Sequence, residues 1–284
     1  MKKILITGAN SYIGTSFEKW VSQWPDQYAV ETVDMIGEDW KSKSFADYDT
    51  VFHVAGIAHV KETRKNRDSY FKVNRDLAVE TAKKAKAEGV RHFIFLSSMN
   101  VYGLEKGVIH ANTIPAPKTA YGKSKYEAEG LLSLLSDDSF TLSILRPPMV
   151  YGKGCKGNYQ RLVRFMLKTP FFPDIENQRS MIYINNLSQF FKQLIDDPKG
   201  GVLFPQNSEY VSTTEMAVYI AEAHNKTIKK TKTFNWIVKI LNFGITNKVF
   251  GDLTYDMSMS DPDQNYNVCG FRESILNTEQ GKDS

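Results

Sequence analysis

Short, nearly uninterrupted apolar runs recur at residues 4–6, 29–33, 51–54, 92–96 and 141–145, and longer stretches of helical spacing separate them. Strands that stay apolar throughout are covered on both faces, and strands that alternate with helices build parallel sheets. The first half of the chain therefore predicts an α/β fold on a parallel sheet. Helices are expected to open near Ser11, Asp68 and Thr119. The second of them includes residues 77–85, a run of strong helix formers, and stops at Glu88-Gly89, where glycine is a natural cap.

After Arg146-Pro147-Pro148 the regularity weakens into a Gly-rich stretch at 152–157, a helical pattern at 160–168 and prolines at 170 and 173. A smaller second lobe is expected to begin there, with residues 1–147 as the first domain and 148–284 as the second. A strand-then-helix pattern at 181–195 and a short apolar run at 202–204 suit the first domain better, so about 178–205 is read as returning to it. From Ser274 onward the chain reads as a loose polar tail.

The 284 residues suffice for nearly two domains at roughly 150 residues each. Lys plus Arg number 36 against 32 Asp plus Glu, and the resulting net charge of +4 is spread along the chain, which argues against a nucleic-acid binder. Cys155 and Cys269 are far apart and lack any metal-ligand spacing, so neither a disulfide framework nor a zinc site is expected, and a reducing cytoplasm fits. His53 and His59 likewise lack clustered acids or cysteines and are read as structural, leaving no expected metal site. No leader pattern opens the chain and no apolar run reaches about 18 residues, so neither export nor stable membrane insertion is expected.

The segment Thr7-Gly8-Ala9-Asn10-Ser11-Tyr12-Ile13-Gly14 follows the first predicted strand and opens the first predicted helix, the context in which a glycine pattern binds a dinucleotide. Gly8 would permit the tight turn, the helix N-terminus would meet a pyrophosphate, and Gly14 would let helix and strand pack closely. Ser11 replaces the middle glycine: its Cβ would crowd a phosphate, while its hydroxyl could donate to one. A plain strand-to-helix turn is the other reading. Asp34, closing the second strand, can accept from a ribose 2′-OH and would repel a 2′-phosphate, favouring NAD over NADP; as an alternative it is a solvated turn aspartate.

Tyr121 and Lys125 are one helical turn apart on one face. A neighbouring ammonium lowers a phenol's pKa, which suits Tyr121 to acid/base work near neutrality. Ser98, at the end of the fourth strand, stands where ligands bind in such sheets and could hydrogen-bond a substrate alcohol or carbonyl, or simply cap its own loop.

Taken together, TGxxxxxG, His53-Val54-Ala55-Gly56, Ser98 before Val101-Tyr102-Gly103, Tyr121-Gly122-Lys123-Ser124-Lys125 and Leu145-Arg146-Pro147-Pro148-Met149-Val150-Tyr151-Gly152 resemble the extended short-chain dehydrogenase/reductase family, in its nucleotide-sugar epimerase/dehydratase branch. The resemblance implies a Rossmann-type doubly wound sheet with a smaller substrate-binding lobe. It also implies a Ser98/Tyr121/Lys125 triad, in which Tyr121 moves the proton of a sugar hydroxyl, Lys125 also holds the nicotinamide ribose and Ser98 orients the sugar, with NAD taking the hydride. It puts Tyr12, Ile13, Asp34, Asp39, Trp40, Ala55, Gly56 and Pro147 around the cofactor. Gly157-Asn158-Tyr159 and Asn177-Gln178-Arg179-Ser180 match the region where relatives of UDP-glucose 4-epimerase bind the nucleotide diphosphate, with Arg179 facing the phosphates, although a lone Arg there is otherwise a surface residue. Asn158, Tyr159 and Arg179, with Ser98 and Asn100, are the implied substrate contacts. Asn74 matches a family asparagine that is mainly structural.

One departure from the family narrows the chemistry. Its 4,6-dehydratases carry an acidic pair after the hydroxyl residue, where this chain has Met99-Asn100. Two readings remain: a 4-epimerase of a UDP-hexose or UDP-N-acetylhexosamine, supplying surface polysaccharide, or a reductase of a UDP-4-keto-6-deoxy sugar. A non-catalytic NAD-binding regulator is the rival from another class. Residues 234–250 read either as a membrane-surface helix or as core of their own lobe. The resemblance further implies a homodimer through helices near 68–88 and 119–136, with Leu131, Leu132 and Leu135 contributing.

Overall fold

The computed structural model describes residues 1–58, 60–168, 171–232, 251–260 and 265–281, apart from the side chain of Asn158. His59 and the 234–250 stretch singled out in the sequence lie outside the described residues. The strands are β1 (Lys2–Thr7), β2 (Tyr28–Val33), β3 (Thr50–His53), β4 (His92–Leu96), β5 (Gly107–Ile109), β6 (Thr141–Leu145), β7 (Met149–Tyr151), β8 (Phe171–Pro173), β9 (Met181–Tyr183), β10 (Gly201–Leu203), β11 (Lys229–Thr231) and β12 (Leu253–Tyr255). The helices are α1 (Tyr12–Val21), α2 (Arg67–Phe71), α3 (Leu77–Ala87), α4 (Ala120–Ser133), α5 (Asn158–Lys168), α6 (Ile184–Asp196), α7 (Thr213–Ala223) and α8 (Phe271–Gln280), and a π-helical turn, Lys72–Asp76, joins α2 to α3.

The chain divides into two units. The first comprises Met1–Gly103, Ile114–Pro147 and Ser188–Pro205. Its sheet has the order β10-β6-β4-β3-β1-β2 and every pairing is parallel, which is the doubly wound α/β architecture expected. Ile4, Leu5 and Ile6 are all fully buried because they alternate between two covered faces. On one face Leu5, Val51, Phe93, Phe95 and Ile144 pack with Ala78, Ala82 and Ala85 of α3 and with Ala128 and Leu132 of α4. On the other, Phe17 of α1, Phe52 of β3 and Phe191 of α6 form an aromatic triplet with ring centroids 4.3 to 5.9 Å apart. Each such buried ring contributes roughly 1.5–3 kcal/mol relative to an exposed one.

The second unit comprises Leu104–Thr113, Pro148–Leu187 and Gln206–Ser284. It holds three parallel strand pairs, β5 with β12, β7 with β9 and β8 with β11, together with α5, α7 and α8. The 104–113 excursion departs from the sequence reading: β5 leaves the first unit because its edge is taken by β12, almost 150 residues later. The polar tail expected from Ser274 is also corrected. It is α8, in which Phe271 and Ile275, one turn apart, are buried and Phe271 meets Tyr219 of α7 edge-on at 5.5 Å. Among the described residues no helix is long and apolar enough to cross a membrane.

Candidate active site

Within the first unit β2 lies on one side of β1 and β3 on the other, and α1 and α3, which follow β1 and β3, cover opposite faces of the sheet, so the winding reverses at the carboxyl ends of β1 and β3. Ligands of open α/β sheets bind at such a reversal. Gly8 leaves β1 there with φ +122°, and a Cβ on it would stand 2.7 Å from the amide nitrogen of Ala55, so only glycine lets the two loops touch. Ser11 caps α1, its Oγ accepting the N–H of Gly14 at 3.2 Å. The amides of the first turn, starting at Tyr12 and Ile13, point out of the positive end of the helix. Gly14 packs on Ile6 and Val54. The carbonyl of Val33 accepts the N–H of Gly8 at 2.9 Å, which sets Asp34 beside the turn with its carboxylate exposed. A glycine-lined turn, a helix end and a strand-end carboxylate thus form a cradle that fits a dinucleotide.

Trp40 departs from its expected place. It lies in a 3-10 turn, Asp39–Ser42, and its indole is buried beside Phe45 at 6.5 Å between ring centroids, in the same cluster as Leu5 and Val51. The link from Asp34 to β3 contains no strand, and the turn tucks its largest apolar side chain inward. Asp39 stays exposed.

Tyr121 and Lys125 share a face of α4, whose N-terminus is capped by Thr119 Oγ1, accepting from Gly122 N–H at 3.1 Å, and by the Glu62 carboxylate, accepting from Ala120 N–H at 2.8 Å. Ser98 caps the 3-10 turn Met99–Tyr102. Its Oγ accepts from the Asn100 backbone at 3.2 Å and from the Asn100 side-chain amide at 3.0 Å, and it lies close enough to the Tyr121 phenol to hold that group's pKa down. Gly122 makes this meeting possible, because a Cβ there would lie 2.7 Å from the carbonyl oxygen of Asn100. The Pro147 carbonyl accepts the N–H of Met99 at 3.0 Å. The Lys125 ammonium lies 4.6 Å from the centroid of the Phe95 ring, and a Cβ on Gly56 would come within 3.3 Å of it. Ser98, Tyr121, Lys125, Gly56 and Pro147 are therefore gathered at the ends of β3, β4 and β6.

Burial pushes the Lys125 ammonium down to about 7, against the opposing pull of the Glu129 carboxylate. Burial also raises the Tyr121 phenol above its usual value, opposed by the Ser98 hydroxyl and reinforced by Tyr70, whose ring lies 6.5 Å away. Helical spacing alone predicts that Lys125 depresses this phenol; in the fold burial is the largest effect and the phenol rises instead.

Asn74 and His53, both read from the sequence as structural, support the set, and so does Glu129, which the sequence does not single out. Asn74 accepts the N–H of Ile57 at 2.7 Å and donates to Ser124 at 3.1 Å, tying the loop after β3 to α4. His53, fully buried between the rings of Phe93 and Phe95, shares a hydrogen bond of 2.8 Å with Thr7, and burial holds its imidazole down to about 3. Beneath Ser98 the carboxylate of Glu129 pairs with Arg146; helical spacing from Tyr121 is the one signal that could have found it. Among the described residues no group of His, Cys, Asp and Glu is arranged to hold a metal.

The remaining expected contacts belong to the second unit. Tyr159 is corrected to a core residue: it is buried, stacks on Tyr151 at 5.8 Å and donates its hydroxyl to Glu279 at 2.7 Å, so its polar tip is committed to α8. Arg179 is half-buried, bridges Val211 and Leu253 through its backbone and donates from Nη1 to the Gly251 carbonyl at 2.7 Å. Asn158 opens α5; its side chain lies outside the described residues.

The chain is 32% identical over 288 residues to UDP-glucose 4-epimerase of Vibrio cholerae, covering 90% of this chain and 88% of the relative. The fold matches the UDP-glucuronic acid 4-epimerase of Bacillus cereus, solved with NAD, at a TM-score of 0.74 and 20% identity, covering 98% of this chain and 97% of that one. It also matches the dTDP-4-dehydrorhamnose reductase of Bacillus anthracis, solved with NADP, at a TM-score of 0.71 and 18% identity over the whole of both chains. With residues 4–204 matching its model, the chain belongs to the NAD-dependent epimerase/dehydratase family.

Proposed function

We propose that the protein is an NAD-dependent 4-epimerase of a UDP-hexose or UDP-N-acetylhexosamine, working through a 4-keto sugar. The observation that carries this reading is Ser98 at the turn that follows β4 together with Tyr121 and Lys125 on one face of α4, and Met99-Asn100 after Ser98 where elimination would need two carboxyl groups. A bound nicotinamide supplies the hydride acceptor and donor. Tyr121 takes the proton from the sugar 4-hydroxyl and later returns it, Ser98 orients that oxygen, and Lys125 holds positive charge beside the phenol. Met99 is flexible and apolar, so it pins neither face of the ring. Arg179 is the proposed anchor for the diphosphate, which must stay held while the sugar turns.

The nearby carboxylate of Asp34 supports NAD over NADP, since it would repel a 2′-phosphate. Equal affinity for both cofactors in a binding titration would refute that part. The activity is tested by incubating the purified protein with UDP-glucose and UDP-N-acetylglucosamine and following the 4-epimer by NMR together with NADH absorbance. Epimer should form with no net change at the NADH band. If neither sugar reacts, while a UDP-4-keto-6-deoxy sugar oxidises NADH stoichiometrically, the protein is a reductase instead.

A further inference from the structure

Tyr121, Lys125 and Glu129 occupy positions i, i+4 and i+8 of α4, a single stripe along the helix. Glu129 is 4% exposed, and Arg146, which follows β6, is 7% exposed. One oxygen of Glu129 accepts from Ser97 Oγ and from Arg146 Nε at 3.1 Å, and the other accepts from Nη2 at 2.6 Å. Arg146 donates from Nη1 to the Tyr102 hydroxyl at 2.8 Å. Each partner adjoins a member of the candidate set: Ser97 precedes Ser98, Tyr102 ends the turn that Ser98 caps, and Arg146 precedes Pro147. A buried ion pair is a poor source of stability, and a hydrophobic pair of similar volume usually serves as well or better. A hydrophobic pair, however, has neither direction nor charge.

We propose that Glu129 and Arg146 are positioning residues, which lock α4 against the ends of β4 and β6 so that Tyr121 and Lys125 meet Ser98, and whose opposite charges balance the field around Lys125. The proposal rests on the reading of Tyr121 and Lys125 as the acid/base set. Facing the ammonium are the Phe95 ring from β4, the neutral His53 from β3 and Gly56 with Asn74 behind it, with Tyr121 and Glu129 on its own helix. Glu129 is the carboxylate that opposes its loss of a proton, and Arg146 is that carboxylate's counter-charge.

Removing one member therefore has a sign. Glu129→Gln leaves the Arg146 cation uncompensated, so Lys125 and Tyr121 lose protons at lower pH; Arg146→Met leaves the Glu129 anion, and both lose them at higher pH. Loosened packing alone would move both variants the same way. The test is an NMR titration of the full chain labelled with 13Cε-lysine and 13Cζ-tyrosine, the two resonances being identified by their absence in Lys125→Met and Tyr121→Phe. The Lys125 midpoint should fall by about half a pH unit or more in Glu129→Gln and rise by a similar amount in Arg146→Met, roughly a threefold change in proton affinity each way. Unmoved midpoints, or shifts of one sign, overturn the proposal. Should a single variant fail to fold, Glu129→Met/Arg146→Met carries the test: it should titrate near the native midpoint, yet turn over about tenfold or more slower with KM for the UDP-sugar little changed. Native turnover in that double variant refutes positioning. If the native protein transforms no nucleotide sugar, the reaction reading fails, and the opposed NMR shifts still decide the role of the pair.

Discussion

Gly122 and Gly130 lie on the same helix, and the same substitution should act on them in opposite directions. Alanine is about 0.8–1 kcal/mol better than glycine in an exposed helix interior. At Gly130 a Cβ would meet nothing within 4 Å, so Gly130→Ala should gain about that amount and raise Tm by a few degrees. At Gly122 the added Cβ would stand 2.7 Å from the Asn100 carbonyl oxygen and 3.1 Å from Pro117 Cβ. Non-bonded heavy atoms rest near 3.5–4.0 Å, so the turn must retreat by about 0.5–1 Å. Overpacking of this kind costs about 1–3 kcal/mol, which exceeds the helical gain. The displaced atom belongs to the turn capped by Ser98, so Ser98 recedes from Tyr121, and a misplacement of about 1 Å can cost about 10² in rate. Thermal unfolding of the two variants and turnover at saturating sugar measure both effects. A Gly122→Ala protein that gains stability as Gly130→Ala does, or keeps native turnover, refutes the claim that this contact sets the geometry of the site.

Tyr121→Phe should keep the fold and NAD binding while turnover falls by about 10² or more, the usual scale for a lost general acid/base; near-native rates would remove Tyr121 from that role. His53 and His92 are held neutral, at about 3 and about 4, so the unfolded chain takes up protons that the fold refuses. Their contribution is complete above the ordinary histidine value near 6.5 and is lost as pH falls toward about 4 for His92 and about 3 for His53, by about 2 kcal/mol each at pH 5, so urea unfolding at pH 7 and pH 5 should differ accordingly and His92→Gln should remove about half of the difference. A homodimer is expected through α2, α3 and α4, but not through Leu132, which is fully buried in its own core, whereas Leu131 and Leu134 are exposed at 43% and 82%. Leu131→Glu should convert the dimer to monomer in light scattering, and a native protein that is monomeric at micromolar concentration excludes the interface.

The strands and helices of the first unit are legible because a strand covered on both faces must be apolar at every position, and Ile4-Leu5-Ile6 is. The C-terminal helix is not, because its buried residues satisfy themselves with polar contacts. Ser274 and Thr278 donate to the carbonyls of Phe271 and Ser274 at 2.6 and 2.7 Å, so hydroxyls go inside without any apolar run to announce them. Tyr159 misleads for the converse reason: an aromatic residue in a Gly-rich stretch looks like a ligand contact until Glu279, 120 residues on, takes its hydroxyl. Glu129 reads as one more solvated charge on a helix, and it becomes a buried partner only when β6 delivers Arg146 beneath it. Spacing can place Lys125 one turn from Tyr121, but it cannot say how dry the two groups are. Whether an ammonium depresses a neighbouring phenol depends on how the Coulomb attraction compares with desolvation, and desolvation belongs to the packing of Phe95, Gly56 and Asn74 around them. The positions of the phenol and the ammonium are therefore local in sequence, while their proton affinities are a property of the whole first unit.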